Sequence, residues 1–294
     1  MSGPLIIGYE DTLQGRDAVV LGRTLARMAE ARPFLASVFT WPQGVMTNED
    51  IENSLAAESH GLFDRPLADL EGIGADARAI ADRSVAKALT ELAEAEEAIA
   101  IVVGSAGRGP IGRTLMGSTA DALLHGAPCA VAVSPRGYSE DGAGELRRIA
   151  VAYDGSPEAH TALRAAAGLA VRIGGELTLI GVVDPSFGYA GEWSALTVGE
   201  FHDLELEARE EALRIAEARL TGVDVDTRLL TGPVGRMLAE ASGDFDLMFS
   251  GSRGYGPVLR TLLGSATRGL MAEARCPVMI LPREAKVMPF GDAA

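Results

Sequence analysis

Two stretches of the chain repeat one pattern of glycines and a Gly-Ser pair. The pattern is G-x-x-G, nine residues, then Gly-Ser, and its fixed positions are Gly104, Gly107, Gly117, Ser118, Gly251, Gly254, Gly264 and Ser265. Each block follows an apolar run, and each Gly-Ser pair stands where a helix is expected to begin. Glycines after a strand can adopt positive φ and approach a ligand closely, while unpaired N–H groups at a helix start attract anions. The pattern predicts a phosphate-binding loop; the alternative is a strand-to-helix turn with a serine N-cap and no ligand.

Two better-known phosphate motifs overlap the first block, and both are rejected. Residues 107–112 read G-x-G-x-x-G, but a dinucleotide fingerprint follows the first strand of a domain and needs an acidic residue about 20 positions later. Extended to Arg113, the same residues approach a P-loop, but an arginine stands where that motif has lysine. In the second block Leu259 replaces Gly112, which breaks both motifs. Arg113 and its counterpart Arg260 could still add positive charge to the predicted loop.

A second candidate position is the acidic residue that follows the first apolar run in each half of the chain, Glu10 in one half and Asp154 in the other. A carboxylate at the end of a strand can accept hydrogen bonds from ribose hydroxyls or from an adenine amine. The alternative is an acidic residue that only opens the turn before the next helix. In doubly wound sheets the ligand crevice lies where the strand order reverses, here between strands one and four. The acidic loop and the Gly-Ser loop should therefore face each other across one crevice.

The elements that must position these loops are repeated as well. Residues 104–135 align with residues 251–282 without a gap, with 15 of 32 positions identical, and residues 6–15 align with residues 150–159. Short apolar runs alternate with longer helical stretches in both halves. The predicted inner strands are 34–39, 78–80, 99–103 and 129–133 in the first half, and the predicted strands of the second half are 149–153, 177–183, 225–230, 246–250 and 278–281. The predicted helices of the second half are 157–173, 200–220, 234–241 and 265–274.

This alternation of strands and helices predicts parallel sheets with right-handed crossovers and helices on both faces. We therefore predict an α/β, Rossmann-like protein of two tandem doubly wound domains, each with a five-stranded parallel sheet. The first domain should comprise residues 1–135, followed by a Gly-rich linker 136–147, a second domain 148–283 and a tail 284–294. The last strand of each half is apolar, so we expect these two strands to pair with each other. Such pairing would relate the two domains by a pseudo-twofold axis. We also expect the chain to form a homodimer.

Composition excludes several classes of protein. Of the 294 residues, 47% are apolar, which is typical of a globular protein, and no run approaches the roughly 18 apolar residues of a membrane helix. The net charge of −15 argues against nucleic acid or an anionic membrane as a partner. Cys129 and Cys276 cannot form a disulfide framework and are predicted to be buried hydrophobic residues. Because no signal peptide is evident, a cytoplasmic location is expected. The four histidines lack metal-ligand spacing, so we predict no protein metal site.

The repeated glycine block, the early acidic residue and the order of elements resemble the universal stress protein family in its tandem two-domain form. The resemblance covers both halves of the chain. It implies the strand order 3-2-1-4-5 in each domain, ATP bound with Mg²⁺ between strands one and four, and a regulatory role in stress or dormancy, with unidentified protein partners. It implies nucleotide contacts in the first domain from Gly8, Glu10, Val38, Gly104, Ser105, Gly107, Gly109, Gly117, Ser118 and Thr119. In the second domain the implied contacts are Ala152, Asp154, Val183, Gly251, Ser252, Arg253, Gly254, Gly256, Gly264, Ser265 and Ala266.

One departure from the family pattern concerns Glu10, because the family usually has aspartate there, as the second domain does at Asp154. The additional methylene moves the carboxylate by about 1.5 Å, enough to misplace a bound sugar, although Asp11 could substitute. The second site is therefore expected to bind better than the first.

We expect little or no nucleotide turnover and no enzyme activity. Two alternatives stay open: slow ATP hydrolysis in the same crevice, for which no general base or lysine can be assigned, and a scaffold that binds no nucleotide.

Overall fold

The computed structural model describes residues 3–40, 61–106, 117–140, 144–185, 198–252, 264–282, 285 and 287–291. The chain divides into two compact units, Met1–Glu145 with Glu284–Pro289, and Leu146–Arg283 with Phe290–Ala294. Each unit has α/β architecture. Of the helices in these described ranges, none combines the length and the hydropathy that crossing a bilayer requires.

The first unit is built on five parallel strands. Its elements are β1 Leu5–Gly8, α1 Leu13–Ala29, β2 Pro33–Phe39, α2 Asp64–Asp69, β3 Asp76–Ala81, α3 Val85–Ala95, β4 Ala100–Gly104, α4 Ser118–Gly126 and β5 Ala130–Ser134. The strands lie in the order β3-β2-β1-β4-β5, and all neighbouring pairs are parallel. The predicted order 3-2-1-4-5 is therefore confirmed for this unit.

The second unit repeats this architecture. Its elements are β6 Arg148–Ala152, α5 Pro157–Ile173, β7 Glu176–Val183, α6 Val198–Glu217, β8 Asp224–Thr231, α7 Val234–Ala241, a 3₁₀ turn Ser242–Asp244, β9 Leu247–Gly251, α8 Ser265–Glu273 and β10 Val278–Leu281. The order β8-β7-β6-β9-β10 is again 3-2-1-4-5, with parallel neighbours. Helix α6 ends at Glu217, before the predicted residue 220. The reason is that the N–H groups of Arg219 and Leu220 bond three residues back, in tighter turns that lead to Gly222 with φ of 77°.

The two units share hydrogen-bond register as well as strand order. In the first unit Leu5 of β1 lies opposite Pro33 of β2, and in the second Ile149 of β6 lies opposite Leu177 of β7. A constant offset of 144 positions thus relates β1 to β6 and β2 to β7, which is the offset of the aligned residues 6–15. Positions in one unit can therefore be compared directly with positions in the other.

The central strands carry the core because helices cover both faces of each sheet. Ile6 of β1, Ile101 of β4, Val151 of β6 and Phe249 of β9 are all 0% exposed. Strands buried on both faces need near-continuous apolar sequence, which is why these runs are recognisable in the sequence. Burial of each such side chain contributes about 1.5–3 kcal/mol.

The two cysteines lie in this core, as predicted. Cys129 and Cys276 are both buried, and neither forms a disulfide. Burial raises the pKa of both thiols to about 12. At neutral pH they are therefore uncharged side chains that pack as small hydrophobic groups.

A buried carboxylate in α1 binds the segment that follows β5. Asp17 is 0% exposed. Its Oδ2 accepts a hydrogen bond from the N–H of Gly137 at 2.9 Å, and its Oδ1 accepts bonds from the N–H and the hydroxyl of Ser139 at 2.8 and 2.7 Å. Bonds to an ionised acceptor are stronger than neutral ones. The described beginning of the predicted linker, residues 136–140, is thus hydrogen-bonded to the first unit.

Candidate functional site

The carboxyl ends of the two central strands enclose a cavity in the first unit. Strands β1 and β4 are hydrogen-bonded neighbours that end at Gly8 and Gly104. The cavity between their ends has a volume of about 340 Å³. That volume lies within the range of small-molecule sites, about 300–1,000 Å³. The lining residues are Gly8, Tyr9, Glu10, Thr12, Gln14, Gly15, Val103, Gly104, Ser105, Ala106, Gly117, Ser118, Thr119 and Ala120.

Most residues implied as contacts in the first unit meet at this cavity. Seven of the ten line it: Gly8, Glu10, Gly104, Ser105, Gly117, Ser118 and Thr119. Val38, near the end of β2, is half-buried and does not line it. Gly107, Gly109 and the possible charge donor Arg113 lie outside the described residues. The acidic loop and the Gly-Ser pair therefore do face one crevice in this unit.

The Gly-Ser pair begins a helix without a side-chain cap in both units. Helix α4 begins at Ser118 after Gly117, whose φ is −87° and ψ 166°, and α8 begins at Ser265 after Gly264, whose φ is −62° and ψ 147°. Neither helix start receives a side-chain cap from the described residues. The serines are the first helical residues and not N-caps, so the turn with a serine cap is not what the structure contains. Uncapped N–H groups and the helix dipole together favour an anion at this point.

The glycines at the strand ends have a different role from the predicted one. Gly104 and Gly251 have no positive φ, and the same holds for Gly117 and Gly264, so that part of the prediction is wrong. Instead, the first turn of α1 crosses the end of β4. A Cβ on Gly104 would lie 2.7 Å from the carbonyl carbon of Gln14, which is too close for any side chain. Glycine at the end of β4 is thus required by helix packing.

Ser105 lines the cavity and carries a buried hydroxyl. The residue is only 5% exposed, and its backbone N–H donates to the carbonyl oxygen of Ser134 at 3.1 Å. Its Oγ has no hydrogen-bond partner among the described residues. A buried polar group without a partner costs about 1–3 kcal/mol. A ligand oxygen in the cavity would remove that cost, so this hydroxyl fits a bound phosphate or sugar.

The acidic loop of the first unit lies on the first turn of α1. Thr12 Oγ1 accepts a hydrogen bond from the N–H of Gly15 at 3.2 Å. Gly15 packs so closely on the loop that a Cβ there would lie 2.9 Å from the backbone nitrogen of Glu10. The Glu10 side chain is exposed and lines the cavity. Asp11 does not line it, and its Oδ1 instead pairs with Arg16 at 3.4 Å.

A buried tyrosine precedes the acidic residue in each unit. Tyr9 is 5% and Tyr153 is 4% exposed. The Tyr9 hydroxyl donates to Asp11 Oδ1 at 3.5 Å, and burial, followed by the negative charge of Asp11, raises the pKa of the Tyr9 phenol above its ordinary value. The Tyr153 ring contacts His160 edge-on, with centroids 5.3 Å apart. Tyr9 therefore bonds within the acidic loop, whereas Tyr153 contacts the helix that follows its loop.

Asp154 of the second unit takes part in the turn that starts α5. Its Oδ1 accepts a hydrogen bond from the N–H of Ser156 at 2.9 Å. Ser156 in turn caps α5, since its Oγ accepts from the N–H of Ala159 at 3.1 Å. The turn-opening role considered as an alternative is thus present at one carboxylate oxygen. Asp154 follows the end of β6, a strand that pairs with β9, which is the position in the chain expected of a ligand contact.

Arg209 of α6 binds the same loop and was not identified from the sequence. Its Nη1 donates to the backbone carbonyl oxygen of Asp154 at 2.5 Å. The aliphatic part of the side chain covers Gly181 of β7, where a Cβ would lie 2.9 Å from Arg209 Cγ. Its Nε has no hydrogen-bond partner in the described part of the chain. A glycine in the middle of an apolar strand was the signal that another group approaches closely there.

The glycine loop of the second unit is closed by backbone hydrogen bonds at its two ends. The N–H of Ser252 donates to the carbonyl oxygen of Leu281 at 3.0 Å, and the carbonyl oxygen of Ser252 accepts from the N–H of Gly264 at 2.9 Å. The first residues of α8, Ser265 and Ala266, are therefore held at the end of β9.

The remaining implied contacts of the second unit fall into two groups. Ala152 and Val183 are the last residues of β6 and β7, and the Val183 carbonyl oxygen already accepts from the N–H of Gly232 at 2.9 Å. Arg253, Gly254, Gly256 and the possible charge donor Arg260 lie outside the described residues.

Comparison with known proteins agrees with this architecture. Relatives include a universal stress protein of Mycobacterium tuberculosis, 29% identical over 298 residues that cover 95% of this chain and 99% of that protein. A universal stress protein of Thermus aquaticus is 35% identical over 142 residues, covering 46% of this chain and 98% of that protein. The crystal structure of a universal stress protein from Archaeoglobus fulgidus has the same fold, with a TM-score of 0.66 at 20% identity, covering 96% of this chain and 97% of that one.

The fold and the loops define the chain as a duplicated, Rossmann-like α/β protein with a glycine-lined crevice at the ends of its central strands. Residues 1–135 and 145–282 each match the sequence model of the Universal stress protein family. The chain belongs to the universal stress protein family.

Proposed function

We propose that this chain binds ATP with Mg²⁺ in the crevice of each unit and acts as a regulatory protein in a stress or dormancy response. The observation that carries the proposal is the cavity of the first unit, where Glu10 lies opposite the uncapped start of α4. A nucleotide needs acceptors for its sugar or base at one end and donors for its phosphates at the other. Both kinds of group line this cavity.

Each part of the nucleotide has a candidate partner. The N–H groups and hydroxyls of Ser118 and Thr119, at the first turn of α4, would bind phosphate oxygens. The Ser105 hydroxyl, buried and without a described partner, would donate to the same group. Glu10 would accept hydrogen bonds from the ribose or the adenine amine. Magnesium, when bound, would neutralise part of the phosphate charge.

Binding without appreciable turnover is supported by the absence of cationic side chains from the described part of the site, which does not include Arg113. Phosphoryl transfer depends on positive charge at the transferred group, usually from lysine or arginine as well as magnesium. The described part of the cavity lining includes neither residue type. We infer that a nucleotide that stays bound changes the surface that the chain offers to protein partners. We also propose that the chain works as a homodimer in the cytoplasm.

The test is calorimetric titration with Mg-ATP of the full chain and of two glycine variants. A Cβ on Gly117 would lie 3.5 Å from Ala106 Cβ, an ordinary contact, and its φ of −87° suits any residue. Gly117→Val should therefore fold and remove one of two binding sites, because the added methyl groups occupy the mouth of the cavity. Gly126→Val is the matched control at the other end of α4, where a Cβ meets nothing within 4 Å.

The outcomes separate the three functions. No heat of binding, and no rise of the melting temperature with Mg-ATP, would establish a scaffold without a nucleotide site. Steady release of phosphate that Gly117→Val reduces and Gly126→Val leaves unchanged would establish hydrolysis at the first site. Equal binding by both glycine variants would place the ligand outside the first cavity.

A further inference from the structure

A second concave surface lies at the opposite ends of the strands in the second unit. This groove has a volume of about 460 Å³ and is formed at the amino ends of β6, β7 and β8. Its lining includes Arg148, Glu176, Thr178, Asp224, Asp226 and Arg228. The groove shares no lining residue with the implied nucleotide contacts, so it requires its own explanation.

Both cations of the groove are already neutralised. Arg148 pairs with Asp246 at 2.7 Å, and Arg228 pairs with Asp244 at 2.9 Å. Arg228 also lies over the ring of Phe245, 5.1 Å from its centroid. The groove therefore offers no positive charge to a ligand.

Three carboxylates of the groove form no ion pair within the described part of the chain, although Glu176, opposite Arg148 on β6, is attracted by that guanidinium. Glu176, Asp224 and Asp226 are exposed and form no ion pair with any residue in the described ranges. Glu176 lies directly opposite Asp224 on the neighbouring strand. Like charges placed opposite each other on adjacent strands destabilise a sheet. A cation bound between Glu176 and Asp224 would offset the repulsion between their carboxylates.

An independent feature of the groove is the hydroxyl of Thr178. The residue is only 8% exposed, yet it lines the groove, on the same strand face as Glu176. Its side chain has no hydrogen-bond partner among the described residues. A nearly buried hydroxyl of this kind can accept one hydrogen bond from a donor in the groove.

The corresponding surface of the first unit has an ion pair where the second unit has unpaired carboxylates. By register, Arg32 and Phe34 occupy the positions of Glu176 and Thr178, and Asp76 occupies that of Asp226. There Arg32 pairs with Asp76.

Phe34, the aromatic residue of this surface in the first unit, also contacts a charged side chain. The Phe34 ring supports the guanidinium of Arg78, 5.3 Å from the ring centroid. In the second unit Glu176 stands at the position of Arg32, and Thr178 stands at the position of Phe34. These two changes together open the groove and leave its carboxylates unpaired.

We propose that this groove binds a linear aliphatic polyamine. Neighbouring strands lie about 4.8 Å apart, and alternate residues on one strand lie about 6.6 Å apart. Ammonium groups separated by a few methylenes can therefore reach the carboxylates of Glu176, Asp224 and Asp226 in turn. The Thr178 hydroxyl accepts one further N–H. An organic cation fits better than a metal ion, since no cluster of acidic, His or Cys side chains in the described chain has the geometry to hold one.

The test is calorimetric titration of the full chain with spermidine at an ionic strength of about 0.15 M, where long-range attraction is largely screened. Glu176→Arg, which restores the arrangement of the first unit, should weaken binding at least about tenfold. Glu210→Arg makes the same change in net charge on the exposed face of α6 and should weaken binding less than about twofold. Thr178→Val, nearly equal in volume, should weaken binding severalfold through the lost hydrogen bond alone.

Three results would overturn the proposal. Equal losses in Glu176→Arg and Glu210→Arg would mean that spermidine responds only to the net charge. Tight binding of a tetralysine peptide without binding of spermidine would mean that the groove takes a basic protein segment. No binding of spermidine at millimolar concentration would mean that the carboxylates are only solvated. Glu176→Gln provides the same comparison should the arginine variant fail to fold, and the Mg-ATP response of each variant should be unchanged.

Discussion

Gly251, at the end of β9, lies so close to the first turn of α5 that a Cβ on it would be 2.8 Å from the Cβ of Glu158 and 2.9 Å from its carbonyl carbon. The same relationship joins Gly104 and Gln14 in the first unit. In both units the helix that follows the first strand thus rests on the end of the fourth strand. This contact holds the acidic loop beside the end of the fourth strand, so the crevice and the core packing depend on the same glycine.

Replacement of Gly251 by alanine is expected to destabilise the second unit, because the obstructing atoms include helix backbone that cannot rotate away. We expect a loss of about 1–3 kcal/mol, which is typical of overpacking. Urea unfolding followed by circular dichroism measures it. Gly126→Ala, in open space at the end of α4, is the control and should change stability by less than about 1 kcal/mol. A Gly251→Ala protein as stable as the control would show that the helix shifts freely.

Substitution of Arg209 is expected to loosen the loop that carries Asp154. Arg209→Gln removes a charged donor from the Asp154 carbonyl oxygen and should cost about 1–2 kcal/mol, while weakening Mg-ATP binding at the second site only. Arg214→Gln is the control, because Arg214 forms an exposed pair with Glu211 on the same helix. Thermal unfolding gives the stability, and calorimetry gives the affinity. Identical behaviour of the two variants would remove any positioning role for Arg209.

The acidic residues after the first strands can be exchanged to test their role. If the shorter carboxylate is the better sugar ligand, Glu10→Asp should strengthen Mg-ATP binding at the first site, and Asp154→Glu should weaken it at the second. A change of one hydrogen bond to a charged group corresponds to about 1.5–3 kcal/mol, or at least about tenfold in affinity. Titration calorimetry of each variant measures the two sites. Changes of the same sign in both variants would contradict this role.

Stability should fall in alkaline solution because of the two buried thiols. An unfolded cysteine ionises near pH 8.5, whereas burial raises the pKa of Cys129 and Cys276 to about 12. The folded state therefore retains protons that the unfolded state loses, and the stabilisation present below about pH 8.5 declines as the pH rises towards 12. The loss should approach about 1.4 kcal/mol per pH unit for each thiol.

The measurement is the free energy of unfolding between about pH 8 and pH 11, compared with a variant that carries Cys129→Ala and Cys276→Ala. The variant should be less stable at neutral pH, because each change leaves a small cavity, but it should show a shallower alkaline slope. Parallel slopes in the two proteins would mean that other groups cause the alkaline loss.

The architecture could be predicted because its signals are local. The helix 157–173 ends where expected, since Gly174 adopts the left-handed conformation, with φ of 61°, that suits glycine. The buried strands show as apolar runs, and the duplication supplies each signal twice. The strand order followed from the family resemblance, and the position of the crevice followed from the rule that ligands bind where that order reverses.

Other features could not be predicted because they join distant parts of the chain. Arg209 is 55 positions from Asp154, and nothing in its own segment specifies the carbonyl oxygen that it binds. The glycines at the strand ends were recognised, but their physical reason was not, since a close approach by α1 or α5 is a property of packing. The groove of the second unit likewise appears only when Glu176 is compared with Arg32 at the same position of the sheet.

The attachment of residues 137–139 to α1 determines where the first half of the protein can be separated from the second. A fragment that stops at residue 135 would lose the three hydrogen bonds that Asp17 accepts from Gly137 and Ser139. Removal of the partners of a buried charge typically costs about 3–5 kcal/mol, which is a large share of the stability of a domain of this size. A fragment that extends to residue 145, where the main segment of the first unit ends, keeps these hydrogen bonds, and we therefore expect it to fold alone.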